Sequence, residues 1–195
     1  MRKLAIMLGG AALLAACQSN PPPPPAAPAA VVDPNNPLFA PGFLAQATSA
    51  NLFEIQSSQM ALQMSGNPAV RNFANLLISD HTRMGQQVAA AAQSAGIVPP
   101  PPALLPDQQA LLNQLSAAGP NFDVAYRDAQ INAHQQAIGL MQNYAASGDV
   151  PALRSVAQQA LPTMQMHLSQ AQMLSVAPPP PPPPPMRPRN PGERG

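Results

Sequence analysis

Residues 67–96 read NPAVRNFANLLISDHTRMGQQVAAAAQSAG, and this stretch decides the fold. Asn67-Pro68 is a helix start: an amide side chain to cap the first N–H groups, then a proline whose fixed φ suits the first turn. Val70, Phe73, Leu77, Met84 and Val88 follow at helical spacing and form one apolar stripe. Gly96 supplies the stop. His81 sits on the same stripe, which is an unusual place for an imidazole.

Upstream, Phe43–Ser65 reads as another helix. Phe43, Ala47, Ala50, Glu54 and Ala61 lie along one face, with Leu44, Leu52, Ile55 and Leu62 beside it. Gly66 is expected at its C′ position. So short a link makes the two helices antiparallel. Downstream, Ile97–Pro106 reads as a loop holding four consecutive prolines, followed by a short helix over Asp107–Ala118 with a leucine-rich face. Gly119-Pro120 breaks it. A third long helix is expected over Phe122–Ser147, stopped by Gly148, with Asp123 and Asp128 supporting its start. A fourth is expected from Asp149, as cap, to about Val176. It carries Pro151 in its first turn and Pro162 inside, where a lost backbone hydrogen bond predicts a kink. The expected fold class is all-α: an antiparallel four-helix bundle with a short extra helix in the crossover. Two independent hairpins would each leave an apolar stripe exposed.

The chain has 195 residues, enough for one domain with appendages. Its 28 prolines are clustered, chiefly at 21–25, 99–102 and 178–185. Met1–Ala16 has a basic start, Arg2 and Lys3, then an apolar run too short to span a bilayer. It ends Leu14-Ala15-Ala16-Cys17, which resembles a bacterial lipoprotein signal peptide. That resemblance implies cleavage before Cys17, acylation of Cys17 and attachment to a membrane. Gln18 after the cysteine favours the outer membrane, facing the periplasm. Cys17 is the sole cysteine, so no intramolecular disulfide forms. Residues 17–37 read as an extended Pro/Ala-rich tether that could hold the domain up to roughly 60 Å from its anchor. The domain is expected over residues 38–176. Residues 177–195 read as a Pro-rich disordered tail.

The three histidines, His81, His134 and His167, all fall on apolar helical stripes. Counting from the two hairpin turns, Glu54 and His81 stand about 18 and 21 Å up the first hairpin, and His134 and His167 about 21 and 27 Å up the second. One polar residue per helix therefore meets near mid-bundle. Three imidazoles and a carboxylate suit a transition metal such as Zn, Fe, Cu or Ni. The same set also suits a hydrogen-bonded polar cluster. Asp80, next to His81, is a candidate outer partner for a neighbouring histidine, or a surface partner of Arg83 or Arg127. Met60, Met64, Met84, Met141, Met164, Met166 and Met173 offer thioethers, the ligand type copper(I) favours, although methionine in a helical core is ordinarily packing.

Other chemistry finds no support. No Gly-x-Ser-x-Gly elbow, free catalytic cysteine or phosphate-cradling glycine loop is present. A net charge of +1 with scattered arginines leaves no basic patch for nucleic acid. The chain reads as a binding or interaction module rather than an enzyme, with an envelope partner the sequence does not specify.

The segments FANLLISDH (Phe73–His81), FDVAYRDAQINAHQQAI (Phe122–Ile138) and LPTMQMHLSQAQML (Leu161–Leu174), together with Glu54, resemble the bacterial domain-of-unknown-function 4142 family. The resemblance implies a ferritin-like four-helix fold in secreted or outer-membrane proteins, with no established activity. It maps the family's polar positions onto Glu54, Asp80, His81, His134, Pro162 and His167. Where many members carry Asp before the third-helix histidine, this chain has Ala133. Ile78, Ile131 and Met164 stand three residues before the histidines. The Glu-x-x-His pattern of di-iron carboxylate sites is thus missing, and ferroxidase chemistry does not follow from the fold.

Overall fold

The structure is a computed structural model that describes Asp33 and residues 35–176. The expected signal peptide, Cys17, nearly all of the tether and the tail lie outside the described residues. Among the described residues five α-helices follow in order: α1 (Ala40–Met64), α2 (Pro68–Ser94), α3 (Pro106–Ser116), α4 (Phe122–Ser147) and α5 (Pro151–Gln172). A single 3₁₀ turn, Gly119–Asn121, precedes α4, and no strand occurs among the described residues. No described helix is long and apolar enough to cross a membrane.

The four long helices close into a ring. α1 packs on α2 and α4, and α5 packs on α4 and α2. The two hairpins are thus sealed against each other, not independent. The short α3 lies against α1 and α4. Its start is tied down where Ser49 of α1 accepts from the Leu105 N–H at 2.7 Å and its hydroxyl meets Gln108 Oε1 at 3.1 Å.

Helix ends follow local chemistry. Asn67 caps α2 by accepting the Ala69 N–H at 2.9 Å. Gly96 adopts φ 72°, and the Gly96 and Ile97 N–H groups bond back to Gln93 and Ala92, a left-handed helix stop that glycine adopts without a Cβ penalty. Four details differ from expectation. α1 begins earlier, with Pro41 in its first turn. It ends on Ser65 in extended conformation, so the left-handed cap expected at Gly66 is absent. Val150, not Asp149, stands at the N-cap of α5; the Asp149 carboxylate instead accepts the Tyr144 hydroxyl at 2.7 Å. Asp128 pairs with Arg127 rather than supporting the start of α4. α5 runs unbroken through Pro162.

The core divides into two apolar clusters at opposite ends. One holds Phe43, Leu44, Met84, Met141, Tyr144, Leu153 and Met164. The other holds Phe53, Val70, Phe73, Leu77, Leu115, Tyr126 and Ala171. The histidines mark the seam. On α2, His81 separates Leu77 from Met84; on α4, His134 separates Ala129 from Ala137; on α5, His167 separates Ala171 from Met164. α1 meets this seam with buried Glu54, Ser57 and Ser58, while Leu52, Ile55 and Leu62 are only half-buried. The helix therefore turns polar groups inward at mid-height, a cost that hydrogen bonding must offset.

Candidate metal centre

His81, His134 and His167 come from three different helices and meet in the seam. Their ring centroids form a nearly equilateral triangle, with separations of 5.5, 5.5 and 5.4 Å. All three are buried. One ring nitrogen from each lies within 4.8 Å of the other two.

Each imidazole is held through one of its nitrogens. His81 Nδ1 lies 3.1 Å from the Asn51 Oδ1 of α1. His134 Nδ1 lies 2.9 Å from the backbone carbonyl of Gln130, one turn earlier on α4. His167 Nε2 lies 2.9 Å from Asp80 Oδ2, across the α2–α5 interface. All three partners are acceptors, so each of these nitrogens carries the proton and donates. The remaining nitrogens, His81 Nε2, His134 Nε2 and His167 Nδ1, then hold lone pairs, and all three are buried without a partner. An imidazole that donates one N–H to a carboxylate, carbonyl or amide and keeps the other nitrogen bare is in the state a metal ligand requires.

The electrostatics agree. Burial pushes the His81 pKa well below its ordinary value, helped by the two neighbouring imidazoles. Burial lowers His134 to about 4, opposed by the Gln130 carbonyl and helped by the neighbouring His167. His167 is lowered by burial, with Asp80 acting in the opposite direction. Three neutral imidazoles packed together form a nitrogen donor set at neutral pH. Bonds of 2.0–2.1 Å to a tetrahedral ion such as zinc would set nitrogens about 3.3 Å apart, so a modest contraction of the triangle completes such a site. The donor set fits a first-row transition ion.

Asp80 joins the seam to the surface. Its Oδ2 receives His167, while Oδ1 accepts from Arg83 at 2.7 Å. It hydrogen-bonds a histidine and pairs with Arg83 at once, where the sequence offered a histidine or an arginine partner as alternatives. Glu54 is buried beside the triangle, not within it. Its Oε1 lies 3.4 Å from His134 Nδ1, the nitrogen that also faces the Gln130 carbonyl. Its Oε2 is buried without a partner. Burial raises the Glu54 pKa well above the ordinary carboxylate range, only partly countered by the Gln130 side chain.

Sequence reasoning passed over Asn51, Gln130, Ser57, Ser58 and Tyr126. Gln130 donates to Ser57 at 2.9 Å, and Ser58 pairs with the Tyr126 hydroxyl at 2.8 Å. This buried ladder continues the polar seam below Glu54. Gln130 stands one turn before His134, and Asn51 one turn before Glu54. Those spacings were the available signal, but amides on a Gln- and Asn-rich surface do not stand out.

A family model described as "Domain of unknown function (DUF4142)" matches residues 21–174. No curated protein matches the sequence. Among solved structures, the chain is similar to CopM in its Cu(II)-bound form, with TM-score 0.58 and 19% identity over 69% of this chain and 94% of that one. It is likewise similar to CopM in an Ag-bound form, with TM-score 0.56 and 22% identity over 69% and 93%, and in the Cu(I)-bound form, with TM-score 0.54 and 23% identity over 67% and 91%. At these identities the likeness establishes the helical fold.

Proposed function

The chain belongs to the domain-of-unknown-function 4142 family, and from that premise we propose that it is a metal-binding protein of the cell envelope, its ion held by the imidazoles of His81, His134 and His167. One observation carries this reading: three buried imidazoles each bring a ring nitrogen within 4.8 Å of the other two, and each ring has one nitrogen held by an acceptor and one buried without a partner. A buried polar atom left unpaired costs on the order of 1–3 kcal/mol. Three such atoms in one place are a standing cost that metal ligation would repay.

Copper is the ion proposed. Nitrogen sites bind copper(II) more tightly than the other first-row divalent ions, and the copper- and silver-bound forms of CopM, similar in fold, support that choice. His81, His134 and His167 supply the ligands. Asn51, the Gln130 carbonyl and Asp80 hold the rings in the ligating tautomer. Glu54 lies near enough to supply a carboxyl group beside the centre. The activity is binding and sequestration. Attachment to a membrane through acylated Cys17, and placement on the outer membrane facing the periplasm, complete the proposal. They are supported by the Leu14-Ala15-Ala16-Cys17 segment and Gln18.

The test is metal analysis of the purified chain, with Co(II) as a spectroscopic probe. One Co(II) per chain is expected, with loss of binding in His81→Ala, His134→Ala and His167→Ala. Retention of full binding by the folded single variants would refute the site. For the anchor, a Cys17→Ser chain should leave the membrane fraction; unchanged membrane association would show that acylation does not hold the protein.

A further inference from the structure

Of the seven methionines singled out in the sequence, Met60 is half-buried against the cluster around Phe73, and the other six divide into two groups. Met64, Met166 and Met173 are exposed. Met84, Met141 and Met164 are buried, at 8%, 7% and 3% exposure, on α2, α4 and α5, the same three helices that carry the histidines. All three lie on one side of the histidine triangle, in the cluster with Phe43 and Tyr144. Met84 follows His81 by three residues and Met164 precedes His167 by three, a rise of about 4.5 Å along each helix. Met141 follows His134 by seven residues, about 10.5 Å.

These three methionines line one cavity of about 340 Å³, and His81 and Glu54 line it with them. Its wall includes Pro99, Pro100 and Pro102 from the α2–α3 connection. Glu54 Oε2 and His81 Nε2 are both buried and unpartnered. Ordinary packing would fill such a space. Here three flexible, polarisable side chains line it, and it reaches His81. Thioethers are poor ligands for hard divalent ions and good ones for soft monovalent ions.

We propose that Met84, Met141 and Met164 form a second, thioether site that takes a soft monovalent ion, Cu(I) or Ag(I), and lies on the route from the α2–α3 connection to the histidine centre. The proposal deepens the metal-binding reading but has its own ligands and its own ion class. An apolar passage strips water from an entering ion, and thioethers replace that water without carrying charge. Methionine's flexible side chain lets the sulfurs close on an ion much smaller than the cavity. The surplus volume is the passage itself.

The test uses the full chain, Ag(I) as a redox-inert probe and Co(II) as reporter of the histidine centre. The variant is the near-isosteric triple Met84→Leu, Met141→Leu, Met164→Leu; the control is Met64→Leu, Met166→Leu, Met173→Leu. Co(II)-loaded protein should take up one Ag(I) per chain with its Co(II) absorption retained. The inner triple should lose that equivalent while binding Co(II) as before, and the outer triple should keep it. Ag(I) uptake that survives in the inner triple, disappears in the outer triple, or occurs only by displacing Co(II) would overturn the second site. Should Co(II) fail to bind at all, the histidine reading falls. The thioether site is then judged alone, by whether the Ag(I) equivalent is lost in the inner triple and retained in His81→Leu.

Discussion

His81→Leu should separate stability from function in opposite directions. In the metal-free protein His81 makes one hydrogen bond, to Asn51 at 3.1 Å, and buries one unpaired nitrogen. A hydrogen bond contributes about 0.5–1.5 kcal/mol net, and an unsatisfied buried polar atom costs about 1–3 kcal/mol. Asn51 is half-exposed and recovers water when its partner goes. Leucine fits a site flanked by Leu77 and Met84. The balance is a metal-free variant more stable than wild type by about 1 kcal/mol, a rise of about 2–4 °C in melting temperature for a domain of this size. Metal reverses the order. At an ion concentration about 100 times its dissociation constant, linkage stabilises a binding protein by about 2.7 kcal/mol, or about 5–11 °C. The variant, lacking one of three ligands, should gain little. Thermal melts by circular dichroism, with chelator and then with Zn(II), read both effects. A metal-free variant less stable than wild type would refute the claim that the triangle is a stored cost. Equal stabilisation of both proteins by Zn(II) would refute the centre.

The remaining predictions concern the supports of the site and the fold. Asp80→Asn keeps the size but weakens the acceptor for His167 and the partner for Arg83, so affinity for Co(II) should fall about 10–100-fold; an unchanged titration would show that the contact does not tune the metal. The three histidines have folded pKa values below the unfolded value near 6.5, so between pH 6.5 and about 4 the unfolded chain binds more protons and stability declines as pH falls. Glu54 acts in the opposite sense, because its raised pKa makes the folded form the better proton binder as pH rises through 4.5. Metal-free urea melts should therefore show stability rising from pH 4.5 to 6.5, more steeply in Glu54→Gln, and a flat profile in both would contradict the burial of these groups. Gly148→Ala would drive a Cβ into the Tyr144 ring, which stacks on Phe43 with centroids 3.8 Å apart. A loss of about 1–3 kcal/mol is expected, readable in denaturant midpoints, whereas a neutral result would mean that the ring has room to move.

The helices themselves were legible because their signals are local. Asn67-Pro68, Gly96 and the spacing of Val70, Phe73 and Leu77 fix α2 to within a residue. Ends that depend on contacts from elsewhere were not legible. Asp149 looks like a cap, but it is drawn to the Tyr144 hydroxyl, and the α5 N-terminus goes without a side-chain acceptor. α1 starts early because Pro41-Gly42 fits where the Asn36 backbone crosses it: a Cβ at Gly42 would collide with that carbonyl. From sequence, such a Pro-Gly pair looks like a break.

The sequence alone determined that His81, His134 and His167 each stand near the middle of a long helix, since helical rise converts residue number into height above the nearest turn; that the three meet at one level was decided by packing, because the two hairpin turns lie at opposite ends of the bundle. The sequence also determined that di-iron chemistry has no ligands here, since that chemistry needs a carboxylate at a fixed spacing. Only the tertiary structure decided which nitrogens are held and which are left without a partner, because that depends on acceptors from other helices: Asn51 from α1 and Asp80 from α2. Packing likewise sets Glu54 beside His134, and only packing shows that Met84, Met141 and Met164 share a cavity with His81. Height is a property of one helix at a time, and which atoms converge is a property of several packed together.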